Sequence, residues 1–128
     1  MSNPSHGSTA RHRGDMVFNR QAALERLGND DNLFSEMVGF FLDDCPGLLR
    51  DIRRCAEETD AEGLQRAAHS LKGLVATFDA YETIDAAKVL EQQGTVGDFR
   101  NVDELVAKVE FEAQRLQTAL EPFRKSEE

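Results

Sequence analysis

No stretch of this chain approaches the run of ~18 apolar residues that a membrane-spanning helix needs. Its first fifteen residues, MSNPSHGSTARHRGD, lack the apolar segment of a secretory signal. These two absences argue for a cytoplasmic protein. Positive charge is also scarce, with 15 Lys and Arg against 24 Asp and Glu, a net charge of −9. A nucleic-acid binder needs a basic surface to meet phosphates, so that class is set aside. Cysteine is nearly absent, with only Cys45 and Cys55. Ten residues apart on one helix they stand ~15 Å from each other, beyond the ~7 Å that a disulfide tolerates. Both fall at apolar positions, so buried free thiols are expected, and no zinc-ligand spacing is present.

What the chain does have is helical periodicity. Residues 1–15 are polar and rich in Ser, Gly, Asn and Arg, which predicts a disordered tail carrying His6 and His12. A short helix is predicted to start at the cap Asn19 and stop before Gly28, with Phe18 folding over its first turn. A long one follows, capped by Asp30 or Asp31. Phe34, Val38, Phe41, Cys45, Leu48, Ile52 and Cys55 recur every three or four residues along it. Pro46 lies inside that stripe, and because the stripe keeps phase across it, a kink is expected rather than a break.

Three more helices are predicted, each opened by a box-like pair: Thr59 with Glu62, Asp79 with Glu82, and Asn101 with Glu104. Their stripes are Leu64, Ala68, Leu71, Val75 and Phe78; then Ile84, Ala87 and Leu90, with Gly94 as the stop; then Val102, Leu105, Val109, Ala113, Leu116 and Leu120, ended by Pro122. No strand or fixed-period repeat is visible. The expected fold is all-α: an antiparallel up-down four-helix bundle with a short additional N-terminal helix. The expected boundaries are a tail at 1–15, a bundle domain at 16–123 and a disordered tail at 124–128.

One short segment does not read as plain core. In AAHSLKG, residues 67–73, His69 follows the core position Ala68 by one residue, about 100° of helix rotation. It should therefore stand at the border of the core or outside it. Gln65, Lys72, Gly73 and Ala76 share its face. None is both large and apolar, so another protein could approach the imidazole closely. A glycine inside a helix costs about 1 kcal/mol relative to alanine, and such an approach is one reason to tolerate it.

The turn after this helix centres near Ala80. In an antiparallel hairpin, residues equidistant from the turn share a height, which pairs His69 with Glu91. A carboxylate accepting from Nδ1–H would leave Nε2 exposed as a nucleophile. No nucleophile stands beside His69 to complete a hydrolase triad, because Ser70 points elsewhere around the helix. One turn before Glu91 lie Ala87 and Lys88, neither a plausible metal ligand. What remains is a histidine that itself takes a group, anionic because of Lys72, for which a phosphoryl group fits. On spacing alone, a plain helical interaction module is the stronger reading.

The same residues resemble the histidine-containing phosphotransfer (HPt) domain family. Ala68-His69-Ser70-Leu71-Lys72-Gly73 is similar to that family's signature almost letter for letter. ATFDA (76–80), VLE (89–91) and the upstream run from Phe18 to Cys55 resemble it too, so the likeness spans roughly residues 17–121. The resemblance implies a bundle that shuttles phosphoryl groups in a multistep two-component phosphorelay and is not itself an enzyme. His69 would be the phosphoacceptor through Nε2, Lys72 would steady the phosphoryl oxygens, Gly73 would clear the approach, and Glu91 would orient the imidazole. Gln65, Gly73 and Ala76 are the expected partner-binding positions, within a partly apolar patch drawn from the long helix and the His69 helix. The partners implied are response-regulator receiver domains, with a hybrid histidine kinase as a further candidate. No cofactor is implied for this chain, since the catalytic aspartate and Mg²⁺ belong to the receiver. A monomer is expected. Asp79 departs from the family, standing where many members have glycine; it is read here as a helix cap. Two rivals stay open. One is the phosphotransfer domain of a chemotaxis-type histidine kinase, against which the initiator Met and the polar tail suggest a complete small protein. The other is an interaction module that is never phosphorylated.

Overall fold

The structure, a computed structural model, describes residues 17–125. The expected N-terminal tail, His6 and His12 included, and residues 126–128 lie outside the described residues. Among the described residues, five α-helices follow one another: α1 Arg20–Arg26, α2 Asp31–Glu57, α3 Ala61–Ala76, α4 Tyr81–Val96 and α5 Val102–Leu120, with a final 3-10 turn at Glu121–Phe123. The helices α2 to α5 pack in sequence, and α5 returns to α2 to close the bundle. The helix α1 caps one end. The bundle expected from periodicity is the one observed.

The stripes form its core. Phe34, Val38, Phe41, Cys45 and Ile52 of α2 are fully buried or nearly so, as are Leu64, Ala68, Leu71 and Val75 of α3. Ala87 and Leu90 of α4 meet Val109, Ala113, Leu116 and Leu120 of α5 in the same interior. Leu48, Ile84 and Leu105 reach only its margin. Two uninterrupted turns and more of α2 continue on either side of Pro46, so the proline does not split the helix. Cys45 and Cys55 are buried free thiols, and burial pushes Cys45 up to about 12. That disfavours the reactive thiolate.

Several local expectations need correction. Thr59 does not cap α3. Asp60 does, its side chain accepting from Gly63 N at 3.0 Å, while Thr59 takes a left-handed φ of 50° in the turn. Asp79 does not cap α4 either. Ala80 holds that position with no side-chain bond, and Asp79 sits at φ 51° with its carboxylate 2.8 Å from Arg26 Nη2. Asn101 stands at the α5 cap position, but its side chain bonds no backbone N–H. Phe18 packs on Phe34 and Phe123. Arg124, expected in a disordered tail, is 3.3 Å from Asp43.

Gly94 does not stop α4. The helix runs on to Val96, and Gly97 at φ 71° is the left-handed cap. Gly94 is instead buried where α4 crosses α3. A Cβ there would come within 2.7 Å of Gln65 N and 3.0 Å of Ala61 O. The missing side chain lets the two backbones approach, and that approach brings the faces bearing Glu91 and His69 together.

Candidate functional site

The site is built from one exposed and two half-buried side chains on α3 and α4. His69 lies past the midpoint of α3, with Ala68 and Leu71 beside it anchored in the core. Its own side chain is 64% exposed. Glu91 follows the buried Leu90 on α4, and its side chain is only 16% exposed. The hairpin spacing brings the two together: His69 Nδ1 is 2.8 Å from Glu91 Oε2.

The charge state of Glu91 decides the direction of that bond. The Lys72 ammonium, and after it the His69 ring, hold the Glu91 carboxyl below its usual value, against the opposing effect of partial burial. An ionised carboxylate only accepts, so Nδ1 donates and carries the proton of the neutral ring. Nε2 then bears the lone pair and points away from the carboxylate. Among the described residues it has no hydrogen-bond partner.

Lys72 stands differently from expectation. Its Nζ is 2.7 Å from Glu91 Oε1, the oxygen that His69 leaves unused. Glu91 therefore bridges the ring and the ammonium, and with His69 neutral the trio carries no net charge. Sequence spacing pointed to each residue separately. It did not show that Lys72 turns across the helix interface, although residue 72 lies on the α4 side of residue 69 in the helical phase.

Gly73 is exposed, and a Cβ there would meet nothing within 4 Å. Ala76 is exposed at the end of α3, whereas Gln65 is half-buried under Gly94. The surface beside His69 is thus low and open. Toward α2 it falls into a shallow cleft lined by Leu48, Asp51, Arg54, Arg66 and Ser70, more polar than the patch expected there. Arg66 and Lys88 flank the site and were not singled out by the spacing argument. Among the described residues, no three His, Cys, Asp or Glu side chains are grouped to hold a metal ion. No helix of the described residues is long and apolar enough to cross a membrane.

A four-helix bundle that presents one solvent-facing imidazole, with its tautomer set by a carboxylate on the next helix, has the architecture of a histidine phosphotransfer module. The chain belongs to the Hpt domain family, whose model matches residues 36–124. Hpt domains relay phosphoryl groups with receiver domains as intermediates of phosphorelays. The fold is also that of the solved histidine-containing phosphotransfer protein B (HptB) from Pseudomonas aeruginosa PAO1. The two agree with a TM-score of 0.77 at 18% sequence identity, over 84% of this chain and 94% of that one. No curated protein sequence matches the chain.

Proposed function

We propose that this Hpt domain carries its phosphoryl group on Nε2 of His69, taking it from and returning it to aspartyl-phosphate receiver domains. The observation that carries the reading is the 2.8 Å bond from His69 to Glu91 on a ring that is otherwise open to solvent. In the transfer, the Nε2 lone pair attacks phosphorus. The N–P bond forms as the P–O bond of the acyl phosphate breaks, and the receiver's aspartate leaves as a carboxylate with that electron pair. The proton stays on Nδ1, where the positive charge that develops on the ring faces Glu91. Reversal follows the same path.

Phosphoryl transfer depends mostly on positioning and charge neutralisation. A Mg²⁺ held by the receiver would supply much of the second. Glu91 supplies the first by holding the ring in one tautomer and one orientation. Lys72 fixes the other carboxylate oxygen. Once Nε2 carries a dianionic group, Lys72 is the ammonium one turn away, able to exchange Glu91 for a phosphoryl oxygen. Gly73 leaves the partner's backbone room to approach.

Incubation with phosphorylated receiver domains, followed by mapping of the labelled residue, tests the reading. The expected product is an acid-labile, base-stable label on His69. The His69→Gln variant should take none while keeping its helicity, because the side chain it replaces is largely in solvent. Label on another residue, or undiminished function of the unlabelled variant, would overturn the reading in favour of the interaction module.

A further inference from the structure

The trio of His69, Lys72 and Glu91 is electrically closed before any partner arrives, since Lys72 is committed to Glu91 at 2.7 Å. Attraction of an anionic partner must therefore come from other charges. Two cations stand on the same outward face. Arg66 lies one turn before His69 on α3, and Lys88 lies one turn before Glu91 on α4. In the antiparallel hairpin Lys88 is level with Lys72, so the two cations flank the ring diagonally from opposite sides.

Neither is spent on the fold. Arg66 is exposed, and its one ion pair among the described residues, to the 86% exposed Glu62, is at the limit of 4.0 Å. Lys88 is exposed and has no ion pair among the described residues. Exposed pairs of the Arg66–Glu62 kind contribute little to stability. In a chain of net charge −9, these two exposed cations place positive charge beside the reactive ring, with Asp51 and Asp60 in the cleft that Arg66 also lines.

We propose that Arg66 and Lys88 are steering residues that favour receiver partners whose docking rim is acidic. The inference rests on the phosphocarrier reading and adds to it a choice of partner. The two cations act on encounter, not on the bond-making step. An acidic rim is drawn toward His69, while the acidic remainder of the surface repels it and so orients the approach.

The test compares wild type with Arg66→Gln, Lys88→Gln and the double variant, using phosphorylated receivers as protein donors and phosphoramidate as a small donor. With an acidic-rimmed receiver at low ionic strength, the double variant should transfer about 10-fold more slowly in the second-order regime. The gap should close to about twofold or less at high salt, where exposed charges are screened. Labelling of His69 by phosphoramidate should be equal in all four proteins. A double variant that matches wild type at low salt overturns the steering role and leaves the carrier reading intact. An equal loss with phosphoramidate also overturns it, by placing the cations on the phosphoryl group itself. Absence of receiver-derived label on wild-type His69 removes the carrier reading, and the inference with it.

Discussion

Lys72 Nζ and His69 Nδ1 sit on opposite oxygens of a single carboxylate, Glu91, at 2.7 and 2.8 Å. A carboxylate with one oxygen on an ammonium cannot swing freely. The ring it holds is therefore oriented more firmly than a lone His–Glu pair would be. Glutamine at position 91 keeps an oxygen able to accept from Nδ1 but gives up the charge that holds Lys72. The Glu91→Gln variant should still be labelled on His69, at a rate lower by about 10-fold, the scale on which orienting partners of working histidines act. Rapid-quench transfer kinetics from a phosphorylated receiver would check it, and an unchanged rate would remove Glu91 from the mechanism.

The same bridge makes part of the stability depend on pH. The Glu91 carboxyl is held below its ordinary value of 4.5, chiefly by Lys72 and secondly by His69. A group depressed by folding contributes stability that is present above its unfolded value and is lost as pH falls through the lower folded one. Wild type should thus melt above Glu91→Gln at pH 7, and their Tm difference should shrink only once pH drops below about 4.5. A difference that vanishes already at pH 6, well above that range, would remove the Glu91 carboxylate as its source.

Two glycines in the paired helices should respond in opposite ways to alanine. At Gly94 an added Cβ strikes the backbone of Gln65 and Ala61, and neither can move without separating α3 from α4. The expected loss is ~1–3 kcal/mol, the usual penalty of overpacking. At Gly73 the Cβ meets nothing within 4 Å, and α3 should gain up to ~1 kcal/mol from helix propensity. If that open face is where a receiver docks, Gly73→Ala should be more stable yet slower in transfer. Urea denaturation together with receiver kinetics separates the two effects; a faster or equal transfer rate would mean that Gly73 lies outside the contact.

The contrast between these glycines shows where sequence reasoning reaches. Helix periodicity is a local signal, and it placed the core stripes from Phe34 to Leu120 and the height match of His69 with Glu91. Whether a glycine ends a helix or lets two helices touch depends on a neighbour distant in sequence, so Gly94 read as a stop. The caps failed for a related reason. Thr59 and Asp79 each stand one place before the true cap position, and both adopt left-handed backbone that no side-chain pattern announces. The second oxygen of Glu91 was missed because it takes a side-chain turn by Lys72 across the helix interface.

Asp79 carries the last of these lessons into a measurable form. At φ 51° it occupies a conformation that suits glycine, and a non-glycine residue pays ~1 kcal/mol or more for it. The offset is visible in its partner. The Asp79 carboxylate is 11% exposed and binds Arg26 at 2.8 Å, while Arg26 also donates to Thr77 O at 3.2 Å. Together with the bond from Asn19 N to Phe78 O, this fastens α1 onto the turn between α3 and α4. Asp79→Gly relieves the backbone and loses the ion pair, so it should stay within ~1 kcal/mol of wild type. Asp79→Ala keeps the strain and loses the pair, and should fall by ~1 kcal/mol, below Asp79→Gly. If chemical denaturation ranks alanine level with glycine, backbone strain is not what the Arg26 contact offsets.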